Sequence, residues 1–153
     1  MIPKLHPGFL PLTVEYALRA MVCLAAAPKG EWVTRDSVMQ NAFLPEAYAS
    51  KILRWLVEGG LIEAKKGWYG GFRLAKTPES ILFLDILRVF EDADHLKHCA
   101  FGYPVCDDER PCPLHDARKN LLAHIRQWAA TYTLADVGHE GFRSVEGRTP
   151  PDP

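Results

Sequence analysis

The sequence predicts a mainly α-helical fold with a small β-hairpin wing, a winged helix-turn-helix followed by a long C-terminal helix. Three observations predict it. Apolar residues recur at helical spacing through three segments before position 60, the period shortens to that of two strands around "KGWYGG", and a helical seam returns from Leu114 onward. At 153 residues and 48% hydrophobic content, the chain has room for one compact domain, or a small domain with a helical appendage.

The first helix is expected from about Thr13 to Ala27, with Tyr16, Ala20, Leu24 and Ala27 at helical spacing, and Pro28-Lys29-Gly30 stops it. Cys23 lies inside this run, where a lone cysteine behaves as a small hydrophobe. Thr34 suits the cap of a short second helix that carries Val38 and Ala42 inward. Pro45 fits the first turn of a third helix, with Tyr48, Ile52, Trp55 and Leu56 on one apolar face and Gly59-Gly60 at its end. "LIEAK" and "GFRLA" then read as strands, and "KGWYGG" supplies the glycines a hairpin loop needs. Thr77-Pro78-Glu79-Ser80 is expected to start another helix, with Leu84, Leu87 and Phe90 apolar and Asp85 and Arg88 outward. Beyond a cysteine-bearing loop, Leu114, Leu121, Ile125, Trp128 and Tyr132 trace the seam of a long amphipathic helix. Such a seam folds back on its own domain or joins a second copy; dimerisation is the expectation, because a reader of a twofold-symmetric site gains affinity and register by it. The closing "GHEGFRSVEGRTPPDP" lacks apolar periodicity and reads as a flexible tail. The expected units are a DNA-binding domain over 12–90, a cysteine-rich loop over 91–116, a dimerisation helix over 117–137 and a tail over 138–153.

Net charge is only −1, yet it is unevenly spread. Lys51 to Lys76 holds six basic residues against Glu58 and Glu63, whereas Glu91 to Asp116 holds seven acids against Lys97 and Arg110. The basic stretch coincides with the third helix and the wing. In that arrangement the third helix enters a major groove of double-stranded DNA while the hairpin lies against the neighbouring backbone. Ala47, Ser50, Lys51 and Arg54 fall on the outward face of the helix; Ser50 suits a base edge or phosphate, and Arg54 suits a guanine fork. Lys51, Lys65 and Lys66 suit phosphate contacts, and Trp68 and Tyr69 occupy the wing tip, where a ring packs on sugars. The plainer role for each cation, a solvated face, is less economical when so many gather on one motif.

No apolar stretch approaches the roughly 18 residues of a membrane span, and "MIPKLHPGFLP" lacks the features of a signal peptide, so a soluble, cytoplasmic protein is expected. In a reducing compartment, clustered thiols are metal ligands or redox sites more often than disulfides. "CAFGYPVCDDERPCPLH" places Cys99, Cys106 and Cys112 in one loop, with His115 three residues after the last. Thiolates suit iron-sulfur ligation. A Cys3His set equally suits a structural zinc that staples the loop. A metal-free thiol switch at Cys106 or Cys112 is a third chemistry, disfavoured by Asp107, Asp108 and Glu109, whose charges oppose thiolate formation. His95 and His98 flank the loop and are expected to be exposed. No nucleophile-base-acid set or phosphate-cradling glycine loop is apparent, so an enzyme is not expected.

"LTVEYALRA" at the first helix, "GGLIEAKKGWYGGFRLA" at the wing, and the three cysteines followed by "PLH" resemble the iron-sulfur cluster regulators among winged helix-turn-helix repressors, the IscR/NsrR family. The resemblance spans roughly Leu12 to Val137. It implies a homodimeric transcriptional repressor whose 2Fe-2S or 4Fe-4S cluster sits on Cys99, Cys106 and Cys112 and sets DNA affinity in response to oxygen, nitric oxide, redox state or iron supply. It also implies a fourth ligand, either His115 or Glu15 from the first helix of the opposite subunit. Two departures stand out: the Cys99 to Cys106 gap is longer than is common in the cluster-binding members, and Trp68-Tyr69 replaces a frequent proline-glycine wing tip. A winged-helix interaction module braced by zinc is the alternative from a different functional class.

Overall fold

The computed structural model describes residues 10–91 and 107–137. Helix α1 (Leu12–Ala26) is followed by α2 (Arg35–Asn41) and α3 (Glu46–Glu58), then strands β1 (Ile62–Lys65) and β2 (Gly71–Leu74), and finally α4 (Phe83–Glu91) and α5 (His115–Thr131). This is the expected winged helix-turn-helix with an added C-terminal helix.

Local chemistry sets most boundaries. Thr34 caps α2 by accepting the Ser37 amide at 3.2 Å, and Val38 and Ala42 are fully buried as expected. Pro45 stands one position before the first residue of α3, its fixed φ compatible with helix entry. At the other end of α3, Gly60 takes the left-handed conformation at φ +69°. Gly59 meets a different requirement: a Cβ there would stand 2.4 Å from Val89 of α4, so a side chain would push the two helices apart.

The expected helix at Thr77–Ser80 is corrected. Pro78–Ser80 forms one 3-10 turn, the chain is extended at Ile81, and α4 begins only at Phe83. The start signal belongs to Asp85, whose carboxylate reaches back to accept the Leu82 amide at 3.0 Å.

One core holds the helices and wing together. Ile52, Leu53 and Leu56 of α3 pack with Val14, Ala17 and Met21 of α1 and with Ile86, Leu87 and Phe90 of α4. Tyr48, placed with the apolar face from the sequence, lies at its edge, tilted against Tyr16 with ring centroids 5.6 Å apart. Cys23 is buried within α1, and burial pushes its thiol pKa up, consistent with a packing role.

The long seam divides. Ile125 and Trp128 pack against the core, with Trp128 edge-on to Phe83 at 5.9 Å. Backbone bonds from Phe83 N to Tyr132 O at 3.0 Å and from Leu134 N to Ile81 O at 2.8 Å tie the chain beyond α5 to the start of α4. Leu114 and Leu121, near the other end, remain 47% and 60% exposed. Half of the helix therefore folds back, and half presents apolar side chains to solvent.

Candidate nucleic-acid interface and cysteine loop

On α3, burial of Ala49, Ile52, Leu53 and Leu56 leaves Ala47, Ser50, Lys51 and Arg54 exposed together on the opposite face. Three of the four have partners within the protein. Arg35 of α2 donates through Nε to Ser50 Oγ at 3.0 Å, Lys51 Nζ lies over the Trp55 ring at 4.6 Å, and Arg54 pairs with Glu58 at 3.5 Å. The helix-turn-helix bend itself is unusual at Phe43, a non-glycine residue at φ 51° whose carbonyl accepts from Arg19 Nη1 at 3.3 Å.

The wing is a two-stranded antiparallel hairpin with Ile62 opposite Leu74 and Lys65 opposite Gly71. Val33 extends it, exchanging backbone bonds with Phe72 at 2.9 and 2.8 Å. At its base Arg73 pairs with Glu63 at 2.7 Å and lies over Trp32 at 4.3 Å, while Lys65 approaches the same ring at 5.7 Å. Lys65 and Lys66 are exposed, and Trp68 and Tyr69 project from the tip at 94% and 83% exposure.

Cys99 and Cys106, like His95 and His98, lie outside the described residues. Cys112 is half-buried one turn ahead of α5, and the His115 amide donates to its carbonyl at 3.0 Å. His115 is buried: its side chain is 6% exposed, and Nε2 bonds Asp108 Oδ1 at 2.7 Å. Lys119 Nζ reaches the same oxygen at 2.9 Å. The Lys119 bond first, and the His115 bond after it, hold the Asp108 carboxyl below the ordinary aspartate pKa. Asp107 closes a turn, accepting from the Glu109 amide at 2.8 Å and from Arg110 Nε at 3.2 Å. These acids thus face cations and amides of their own segment.

Glu15, in the first turn of α1, lies 4.0 Å from Arg19. The Arg19 guanidinium also covers the Tyr16 ring at 4.9 Å. Arg19 therefore bridges the Glu15 carboxylate to the carbonyl at the helix-turn-helix bend. Among the described residues, no group of three histidine, cysteine or acidic side chains is arranged to hold a metal ion. Of the three loop cysteines Cys112 is the one described, and it supplies a free thiol, the donor type an iron-sulfur cluster takes.

Four contributors carry little sequence signal. Arg35, Trp32, Arg73 and Arg19 each act on a partner distant in the chain. Only Arg73 fell within the conspicuous basic stretch.

A helix-turn-helix with a hairpin wing and basic side chains on the outward face of its third helix define a DNA-binding transcription regulator. The comparisons with known proteins narrow the class. Residues 11–140 match the Rrf2 family, described as an iron-dependent transcriptional regulator, and the chain belongs to that family. Its members regulate transcription and are not enzymes. The chain is 29% identical over 127 residues to a protein of Aquifex aeolicus named as an HTH-type transcriptional regulator, covering 82% of this chain and 88% of that one. Among solved structures it is similar to CymR, the global cysteine regulator of B. subtilis, with a TM-score of 0.60 and 27% identity over 84% of this chain and 94% of that one. T. potens IscR shares the fold at a TM-score of 0.66, with 22% identity and 95% of each chain covered.

Proposed function

We propose that the chain is a homodimeric repressor that reads a twofold-symmetric operator with α3 and the wing, and that Cys99, Cys106 and Cys112 hold an iron-sulfur cluster whose state sets DNA affinity. In this reading 12–90 is the DNA-binding unit, 91–116 the cluster loop, 117–137 the dimerisation helix and 138–153 a tail. The observation that carries it is the anchoring of Cys112. A buried His115, bonded through Nε2 to an Asp108 carboxylate that Lys119 also holds, donates its amide to the Cys112 carbonyl and so fixes the Cys112 backbone at the start of the helix whose exposed Leu114 and Leu121 suit a partner subunit.

The fourth ligand is His115 or Glu15. Ligation by His115 through Nδ1 preserves the Asp108 bond, the arrangement by which a second carboxylate orients a metal-bound imidazole. Ligation by Glu15 competes instead with its contact to Arg19. That competition gives the cluster a physical route to α3, since Arg19 also holds the Phe43 carbonyl at the bend. By linkage, DNA and cluster must change each other's affinity by the same factor.

Protein purified without oxygen should contain iron with matching sulfide and show charge-transfer absorption, both lost in Cys106→Ala. Its DNA affinity at fixed salt should differ between cluster-bound and cluster-free forms. Equal affinities overturn the sensing reading. Stoichiometric zinc in a colourless protein makes the loop a structural staple. A second reading draws on the 27% identity to the global cysteine regulator: a repressor whose signal comes from sulfur metabolism without a metal centre. Protein lacking both iron and zinc, with unchanged DNA binding, favours that one.

A further inference from the structure

The wing ends in the loop 66–70, and its central side chains are the most exposed of the large apolar residues described, Trp68 at 94% and Tyr69 at 83%. Exposed aromatics at a flexible tip collapse onto the nearest apolar surface. Here the support is stiff. Gly70 N bonds Gly67 O at 2.9 Å, Gly67 and Gly71 adopt φ values of +107° and +151°, and the Val33–Phe72 bonds brace β2 from behind. The Glu63–Arg73 pair crosses the strands, and Arg73 rests on Trp32. Trp68 and Tyr69 are held out beyond this packing.

Their neighbours identify the partner chemistry. Lys65 and Lys66 flank the tip and Lys51 lies on the exposed face of α3, so the surface that meets Trp68 is polyanionic. An indole gains little from phosphates themselves. It gains from flat apolar faces, and a surface offering both phosphates and stacked π-faces is nucleic acid.

We propose that Trp68, supported by Tyr69, is a wedge that enters the minor groove beside the α3 site and inserts against one base step in each half-site, unstacking it and bending the duplex. This rests on the DNA-binding reading and goes beyond it, by assigning the wing tip a role in specificity without base-edge hydrogen bonds. Insertion is easiest at pyrimidine-purine steps, which unstack most readily. Each half-site should therefore carry such a step at a fixed distance from the bases read by α3.

The test uses the full-length protein and a duplex recovered by it from a pool of random-sequence duplexes, with adenines replaced one at a time by 2-aminopurine, whose fluorescence rises on unstacking. Binding should brighten one position per half-site. Trp68→Ala should abolish that signal and weaken binding of the dimer about 100-fold, about 10-fold for the base-aromatic stack lost in each half-site. The salt dependence should stay unchanged, since no phosphate contact is removed. Trp68→Phe should keep the brightening. Unchanged affinity in Trp68→Ala overturns the wedge, as does weaker binding with no position brightening in the wild type, which would place the ring on sugars. Failure to recover any duplex, or binding without salt dependence, refutes the DNA-binding reading itself and the wedge with it.

Discussion

Gly71→Ala tests how the wing is fastened. At φ +151° this residue occupies a conformation that side-chain-bearing residues rarely adopt, and an added Cβ would stand 2.3 Å from the Val33 carbonyl oxygen. The substituted residue must relax its backbone, separate from Val33, or both. Residual strain costs about 1–3 kcal/mol. Loss of the two Val33–Phe72 bonds adds about 0.5–1.5 kcal/mol each. Against these, alanine restricts the unfolded chain and returns about 0.4–1 kcal/mol. The net loss is about 3 kcal/mol, or roughly 6–12 °C in Tm for a chain of this size. Urea unfolding followed by circular dichroism measures it, with Gly30→Ala as the control. Gly30 also has positive φ, +84°, but nothing lies within 4 Å of its added Cβ, so it should lose only about 1 kcal/mol. Equal losses for the two variants, or less than about 0.5 kcal/mol for Gly71→Ala, would refute the claim that β2 needs its close approach to Val33.

Lys51→Ala should weaken DNA binding uniformly across sequences and reduce the salt slope by about one counterion, measured by titration over a salt series; an unchanged slope removes Lys51 from the phosphate contacts. Leu121→Glu should convert a dimer to monomer in sedimentation without loss of helix content, because Leu121 is 60% exposed and outside the core; a persisting dimer moves the interface off this half of α5. Asp108 supplies a pH dependence: its native pKa lies below the ordinary value, so its contribution is complete above the unfolded pKa of about 3.9 and disappears as pH falls from there through the lower native value. Asp108→Asn should therefore narrow its Tm deficit against wild type on acidification through that window, and a deficit that ignores pH would mean the Lys119 and His115 bonds do not bias the carboxyl.

Helix existence was legible because burial leaves a period. Val38, Ala42, Ile52, Leu56 and Leu87 all face the core as their spacing requires. Boundaries failed where a signal had two interpretations. Thr77-Pro78-Glu79-Ser80 has the composition of a helix start, but its turn closes on itself through Ser80 Oγ to the Thr77 carbonyl at 2.8 Å, and Asp85 provides the real start three residues into a later segment. The seam of α5 was read as one surface because periodicity reports which side of a helix is apolar, not what covers it. Phe83 packs on Trp128, which leaves Leu114 and Leu121 open at one end of the seam and Tyr132, 44% exposed, at the other.

The candidate site divides by the same physics. Which side chains of α3 point outward follows from which point inward, so Ala47, Ser50, Lys51 and Arg54 were available from the sequence. What holds them was not. Arg35 fixes the Ser50 hydroxyl across 15 positions, Trp32 takes the cations of a hairpin two elements away, and Arg19 reaches the Phe43 carbonyl across 24 positions. None of these pairings has a period, because each depends on how the elements dock. The result bears on the proposed role of Ser50: its hydroxyl, which accepts a hydrogen bond from Arg35 Nε, keeps its own O–H to donate to a phosphate or base acceptor in the proposed DNA complex. Its partner guanidinium stands behind it with a charge of the sign that phosphate attracts. In the proposed complex that contact belongs to the pair Arg35–Ser50, which links the first residue of α2 to the second turn of α3.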